Sequence, residues 1–356
     1  MVPRDRTSNP DIYKTSTQEC MPTFYNLVAE LSLRKGEEPV EFSKRINNVL
    51  LYNVPRGKRI RVRTLVTTYK ILESAENLTF EKLRLAYIMG WCIELLNSSI
   101  LIDDDIMDAS EQRRGAPCWY LVEGVGLRAL NDALMVENIV FDILKNHFMH
   151  HPCYKDAIEL FHKVALLTYL GQALDTDRPK GKTTVTEFYT AEKYNAIVKY
   201  KTFYYTLELP VLLALHLSGK YDKDTYVDMR NILSEISYFF QAQNDYMDCF
   251  GDSIATGKEG TDIQEGKCTW LIITALEKAS PTQRERLEQH YGKTDRESVC
   301  NVLDVYRELN IPELYYNYKN NIDRIISSHI NKISHIFPEL LFTSIADIVC
   351  RSTFKK

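Results

Sequence analysis

Two acidic clusters carry the chemistry open to this chain: Asp103-Asp104-Asp105-Ile106-Met107-Asp108 and Asn244-Asp245-Tyr246-Met247-Asp248. On a helix, residues four apart share a face, so Asp104 pairs with Asp108 and Asn244 with Asp248. Like charges that close repel, and residues such as Phe239 and Phe240 would bury the second cluster rather than leave it in water. A cation between the carboxylates resolves the conflict. Oxygen donors point to a hard ion such as Mg²⁺, which takes few carboxylates and completes its shell with phosphate oxygens. Arg113-Arg114-Gly115 follows the first cluster closely. Guanidinium groups beside metal-binding acids make a grip for a diphosphate. Lys199-Tyr200-Lys201-Thr202, Thr256-Gly257-Lys258 and Lys267 supply further cations, and the basic run from Arg56 to Arg63 offers a second anion site.

These residues need long, buried helices to hold them. The stretch from Phe80 to Asp108 predicts one such helix, with the first cluster at its C-terminal end. Its apolar run, Leu85 to Ile102, is broken by Glu94, Asn97, Ser98 and Ser99, which argues for a core helix and against a membrane span. Helical spacing recurs near 130–147, 156–176, 191–218, 225–250, 268–280, 282–291, 295–309 and 312–336, while period-two patterns are scarce. Pro210 falls inside one helical pattern and predicts a kink. The expected fold is all-α, a single large helical bundle over 21–356 behind a disordered tail at 1–20.

Of the 356 residues, 45% are hydrophobic, enough for a large core, and the net charge of −4 gives no general attraction to nucleic acid or anionic lipid. None of the eight cysteines forms C-x-x-C. Free thiols in a reducing compartment follow, and with them a cytoplasmic location. A mitochondrial address is the weaker alternative, because Asp5 and Asp11 interrupt the basic N-terminus.

At the motif residues the chain resembles the isoprenyl diphosphate synthase family, closest to its eukaryotic farnesyl-forming members, from about Tyr52 to the C-terminal region. Asp104-Asp105-Ile106-Met107-Asp108 with Arg113-Arg114-Gly115 and Cys118-Trp119-Tyr120 is similar to the family's first aspartate-rich region. Gly171-Gln172, Leu174-Asp175, Lys201-Thr202, Gln241 through Asp252, Lys258 and Lys267-Cys268 follow in the family's order. The resemblance implies the class I isoprenoid synthase fold, a homodimer, and a cavity that holds three Mg²⁺ ions with a prenyl diphosphate. It implies Asp104 and Asp108 as ligands of two ions, Asp105 in support, and Asn244 and Asp248 at the third. Arg113, Lys201, Thr202, Gln241, Lys258 and Lys267 then grip the allylic diphosphate, whose departure leaves an allylic cation.

The departures set the functional expectation. The family binds isopentenyl diphosphate through a Gly-Gly-Lys-x-Asn-Arg-Gly run, a Gln, the second Arg of Arg-Arg-Gly and a basic C-terminus. Here Lys58, Arg61 and Arg114 persist. Arg56 replaces the first Gly, Ile60 the Asn, Val62 the last Gly, and Asn97 the Gln, and the ending is broken at Val349 through Lys356. A lost glycine can close a backbone's approach to phosphate, and each lost charge-assisted bond costs roughly 1.5–3 kcal/mol. Ser99 and Ile100 replace the aromatic residues that cap chain length, which predicts a deeper pocket. The expectation is therefore a sesquiterpene synthase that ionises farnesyl diphosphate and cyclises or quenches the cation, with a bisabolane-type product, similar to insect terpene synthases of this descent. The alternatives are a prenyl diphosphate synthase condensing isopentenyl diphosphate with an allylic diphosphate, and a non-catalytic prenyl-binding subunit.

Overall fold

The computed structural model describes residues 14–32, 39–179, 183–251, 260–333 and 337–351. In chain order its helices are α1 (Met21–Ser32), α2 (Val40–Asn53), α3 (Ile60–Leu72), α4 (Phe80–Met107), α5 (Arg128–Phe148), α6 (Tyr154–Thr176), α7 (Val185–Phe188), α8 (Ala191–Ile197), α9 (Leu209–Leu217) and α10 (Lys223–Phe250). The helices Trp270–Lys278, Pro281–His290, Arg296–Glu308, Ile311–Ile333 and Glu339–Ala346 complete the bundle. Among the described residues the only sheet is a two-stranded hairpin, Gln112–Arg113 against Ala116–Pro117. Its two-residue loop needs positive φ at both positions. Arg114 (φ 56°) and Gly115 (φ 73°) supply it.

Helix α4 is the axis. Thr79 caps it by accepting a hydrogen bond from the Lys82 amide, and apolar residues then cover every side instead of one stripe. Such a helix must be surrounded. α3 and α5 pack against it, and Trp91, Cys92 and Ile93 are fully buried. It is long and apolar enough to cross a membrane, but 83% of its most apolar stretch is buried inside the protein, as a core helix requires.

The expected helix over 191–218 is one rod with a change of winding. α8 passes into a wide-turned π segment, Val198–Glu208, and then into α9. Pro210 lies where the π segment gives way to α9, and the change of winding there accommodates its missing N–H. The rod lies hard against α6. A Cβ at Gly171 would sit 2.2 Å from the Lys201 amide nitrogen, so only glycine permits this approach.

Two sequence expectations change. Residues 14–20, assigned to a disordered tail, pack against α3. Thr15 is buried, its amide donates to Thr67 Oγ1 at 3.1 Å, and Arg63 Nε donates to its carbonyl at 3.0 Å. α1, α2, α3 and the Glu339–Ala346 helix had no counterpart among the predicted segments. Residues 1–13, Lys258 and the chain end at 352–356 lie outside the described residues.

Candidate active site

A cavity of about 650 Å³ opens between α3, α4, the π segment and α10. From α4 the stripe Asn97, Leu101, Asp104, Asp108 lines it, each residue three or four after the last. From α10 come Phe240, Gln241, Asn244, Asp245, Met247 and Asp248. Both acidic clusters therefore look into one space, as their spacing predicted.

The three consecutive aspartates part company. Asp104 points inward: Oδ1 accepts from Gln172 Nε2 at 2.8 Å and Lys201 Nζ at 3.1 Å, and Oδ2 from Arg113 Nη2 at 3.0 Å. Asp105 is off the cavity, where its carboxylate accepts from Arg113 Nε at 2.8 Å and locks that side chain. Asp103 faces the other way, towards Glu137, and burial with this second acid pushes its carboxyl up to about 6.

Lysines stand among the inward acids. Lys201 reaches Asp175 Oδ2 at 2.5 Å, and Lys267 reaches Asp108 Oδ1 at 2.7 Å and Asp175 Oδ2 at 3.0 Å. Burial pushes Asp104 up, but Lys201, Arg113 and Lys267 together pull its carboxyl below the usual range. Burial likewise opposes charge on Lys201, and Asp104 and Asp175 more than offset it, holding the ammonium charged. Asp175 matches in the family's order but is given no role from the sequence. Its signal was a buried acid three residues after Gln172 on an otherwise apolar helix face.

Across the cavity the second cluster anchors a chain of hydrogen bonds. Thr202 Oγ1 donates to Gln241 Oε1 at 2.7 Å, and Gln241 Nε2 donates to Asp245 Oδ1 at 2.7 Å. Asp245 Oδ2 accepts from the Tyr194 hydroxyl at 2.9 Å and from the Trp270 amide at 2.8 Å. Burial raises its carboxyl to about 7. Asp248 Oδ1 accepts the Asp262 amide at 3.0 Å, and Asn244 is exposed at the cavity wall.

The donor set fits Mg²⁺, the ion that the resemblance implies. Among the described residues no three His, Cys, Asp or Glu side chains converge on one point. Mg²⁺ asks for less: one or two carboxylates, with phosphate oxygens and water filling the shell. Asp104 with Asp108, and Asp248 with the Asn244 amide oxygen, offer that on opposite walls, and the ammonium groups of Lys201 and Lys267 already mark cation-favouring positions beside Asp104 and Asp108.

The far end of the cavity is basic. Arg56, Lys58, Arg59, Arg61 and Arg114 line it. The α3 N-terminus there has no side-chain cap of its own, because Arg59 precedes it in a left-handed conformation (φ 53°). Glu94 from α4 substitutes: its Oε1 accepts from the Arg61 amide at 2.9 Å and the Val62 amide at 3.3 Å. The Arg61 guanidinium lies 4.2 Å over the Tyr205 ring and donates to Thr206 Oγ1 at 2.9 Å. Asn97 is buried, and its Nδ2 has no hydrogen-bond partner among the described residues.

Two expectations drawn from the family departures fail, one about this end and one about pocket depth. Val62, read as obstructing a phosphate, is fully buried and off the cavity. It packs on α4 at Gly90, where a Cβ would come within 2.6 Å of Val62 Cγ2. Ser99 and Ile100, expected to deepen the pocket, are also buried and off the cavity lining. Helical phase explains Ser99, which shares its face with Asp103, while Ile100, four before Asp104, is packed into the core.

The family model described as polyprenyl synthetase matches residues 43–309. A farnesyl pyrophosphate synthase of Murgantia histrionica is 40% identical over 94% of this chain and 82% of its own length. That of Gallus gallus is 38% identical over 97% of this chain and 94% of its own. Among solved structures, the T. brucei farnesyl diphosphate synthase complexed with risedronate superposes with a TM-score of 0.86 at 29% identity, covering 96% of this chain and 100% of that one. These relatives are named for building prenyl diphosphates, which overturns the expected terpene synthase and favours the prenyltransferase alternative. The sequence argument counted each missing family residue as lost binding, yet Arg56, Ile60 and Asn97 all line the cavity and only Val62 lies off it. The matched span and the shared architecture place this chain in the polyprenyl synthetase family, as an enzyme acting on prenyl diphosphates.

Proposed function

We propose that this protein is a prenyl diphosphate synthase joining isopentenyl diphosphate to an allylic diphosphate. One observation carries the reading: a single cavity presents two separate cation sets, one interleaved with acids and one almost free of them. The first suits a diphosphate that must leave, the second a diphosphate that only has to be held.

At the first set, Arg113, Lys201 and Lys267 take the oxygens of the departing diphosphate, with Thr202 and Gln241 donating beside them. Lys258 belongs to the same expected grip. Asp104 with Asp108, and Asn244 with Asp248, would hold Mg²⁺, which would supply the charge that makes diphosphate a good leaving group. Asp105 keeps Arg113 aimed. At the second set, Lys58, Arg61 and Arg114 hold the acceptor diphosphate, and Asn97 Nδ2 offers a further donor. The acceptor double bond attacks the allylic carbon as its C–O bond breaks, and a proton then leaves the new chain. Holding both reactants in one pocket is where most of the rate comes from.

A dimer is part of the proposal. Leu127, Leu130 and Leu134 around α5, and Leu166, Leu170 and Leu174 on α6, are exposed. A leucine stripe over two helices is more than a monomer ordinarily shows to water. A second copy covering it gives twice the chain mass in solution scattering or light scattering.

The deciding assay supplies Mg²⁺, an allylic diphosphate and labelled isopentenyl diphosphate. Label should appear in a longer allylic diphosphate, and chelation of the metal should stop it. Hydrocarbon released from the allylic diphosphate alone, with no label incorporated, would sink the reading.

A further inference from the structure

Arg56 stands where the family pattern has glycine, on the loop between α2 and α3. Its guanidinium carbon lies 4.6 Å from the Tyr52 ring centroid. That ring is fixed: the Tyr52 hydroxyl donates to the Pro117 carbonyl at 2.7 Å, and Trp119 packs beside it at 5.1 Å between centroids. On the other side of the loop, Arg114 Nη1 donates to the Asn53 carbonyl at 2.7 Å. Gly57 makes room for it, since a Cβ there would meet Arg114 Nη2 at 2.7 Å. Two guanidinium groups thus flank one loop, and both line the main cavity.

Arg56 also borders an outer cleft of about 440 Å³ with Arg45, Asn48, Tyr52 and Trp119. The two arginines of that cleft differ. Arg45 is neutralised by Asp132, with Nε donating to Oδ1 at 2.8 Å. Arg56 has no carboxylate partner among the described residues. An aromatic face holds a guanidinium by cation–π attraction while leaving its in-plane N–H donors free. A stacked, acid-free arginine beside Arg114 and Lys58 is pre-aimed at an anion.

We infer that Arg56 is an additional binding residue for the acceptor diphosphate, held at the cavity mouth on the Tyr52 ring, and that it raises this chain's affinity for isopentenyl diphosphate. The inference rests on the condensing function proposed above. The substitution of glycine is then a gain of a donor and not a loss of access.

Steady-state assays at saturating allylic diphosphate test it with Arg56→Gln, Arg56→Gly and Tyr52→Leu. Both Arg56 variants should raise KM for isopentenyl diphosphate about three- to fivefold, the scale of one partly solvated ionic contact. Turnover and KM for the allylic substrate should not move, and the salt dependence of the acceptor KM should become shallower. Tyr52→Leu keeps the charge and loses the platform, so its KM should fall between. An unchanged or lowered acceptor KM in Arg56→Gln overturns the inference, the lowered value identifying Arg56 as an obstruction. Calorimetric titration of isopentenyl diphosphate separates the two levels. Wild-type protein that binds it but elongates nothing refutes the condensing reading, while equal affinity in Arg56→Gln refutes the role of Arg56 alone. Absence of binding to wild type refutes both.

Discussion

The two ends of the cavity solve opposite electrostatic problems. At the α4–α10 end each of the described cations has an acid: Lys201 with Asp104 and Asp175, Lys267 with Asp108 and Asp175, Arg113 with Asp104 and Asp105. At the α3 end Arg56, Lys58, Arg59, Arg61 and Arg114 line the cavity with one carboxylate among the described residues, Glu94, which is spent on backbone amides. Burial pulls the Arg114 guanidinium down to about 10 even with Glu94 nearby, a sign of charge held without enough counter-charge. A balanced end can exchange partners as metal and diphosphate arrive and leave. An unbalanced end is ready for one anion and has no reason to release it during the reaction.

The largest effect should come from breaking the balanced end. Asp104→Ala removes a carboxylate that both Lys201 and Arg113 contact and leaves those two cations crowded. Turnover should fall by at least about 10³-fold, the upper scale for losing one electrostatic contributor to a transition state. Rapid-quench product analysis would register it. Activity within tenfold of wild type would disprove the role assigned to Asp104. An intact fold, checked by circular dichroism, keeps the comparison clean.

Val62→Gly, which restores the family residue, separates packing from binding at the unbalanced end. Val62 is fully buried against Gly90, so the change removes core contact and adds a flexible residue to α3. Stability should drop by about 2–3 kcal/mol, measured by urea denaturation, while KM for isopentenyl diphosphate stays put. An improved KM would restore the steric argument drawn from the sequence.

Arg114→Gln cuts into the unbalanced end itself. KM for isopentenyl diphosphate should rise about tenfold, a charge-assisted contact discounted for partial exposure, with little change in KM for the allylic partner. Equal shifts in both constants would mean that the two ends are not independent sites.

The sequence exposed the balanced end well and the unbalanced end poorly, for a physical reason. Asp104, Asp108, Gln241, Asn244 and Asp248 sit on two long helices whose period is readable, so their shared face follows from spacing alone. Lys201 was found by motif, but its partner Asp175 depends on Gly171 letting α6 touch the π segment, a contact between distant parts of the chain. The 56–63 run is half loop and half helix start, with left-handed backbone at Arg59 and a cap borrowed from Glu94. No local pattern reveals that Val62 turns into the core while Arg56 lies on Tyr52. Ser99 shows the same limit at smaller scale: counting back from a motif names a position, but the cavity sees only those in helical phase with Asp104.

Asp103 offers the smallest and most discriminating test, because it is an acid of the same cluster with no cation beside it among the described residues. Burial, reinforced by Glu137, lifts its carboxyl from 3.8 to about 6 in the folded chain. Below about pH 4 both folded and unfolded chains hold the proton, so the residue is neutral to stability. Between about pH 4 and 6 the folded state binds more protons than the unfolded one, and stability falls as pH rises. Above about pH 6 the penalty is complete and flat. Asp103→Asn removes it, so the variant should match wild type near pH 4 and exceed it from about pH 6 upward. The gain should stay under about 1 kcal/mol because the group is partly solvated. Thermal melts of both proteins across that range would show the gap opening with pH. A gap widest in acid would mean that Asp103 is paired after all, and that the contrast between balanced and unbalanced charge does not extend to the outer face of α4.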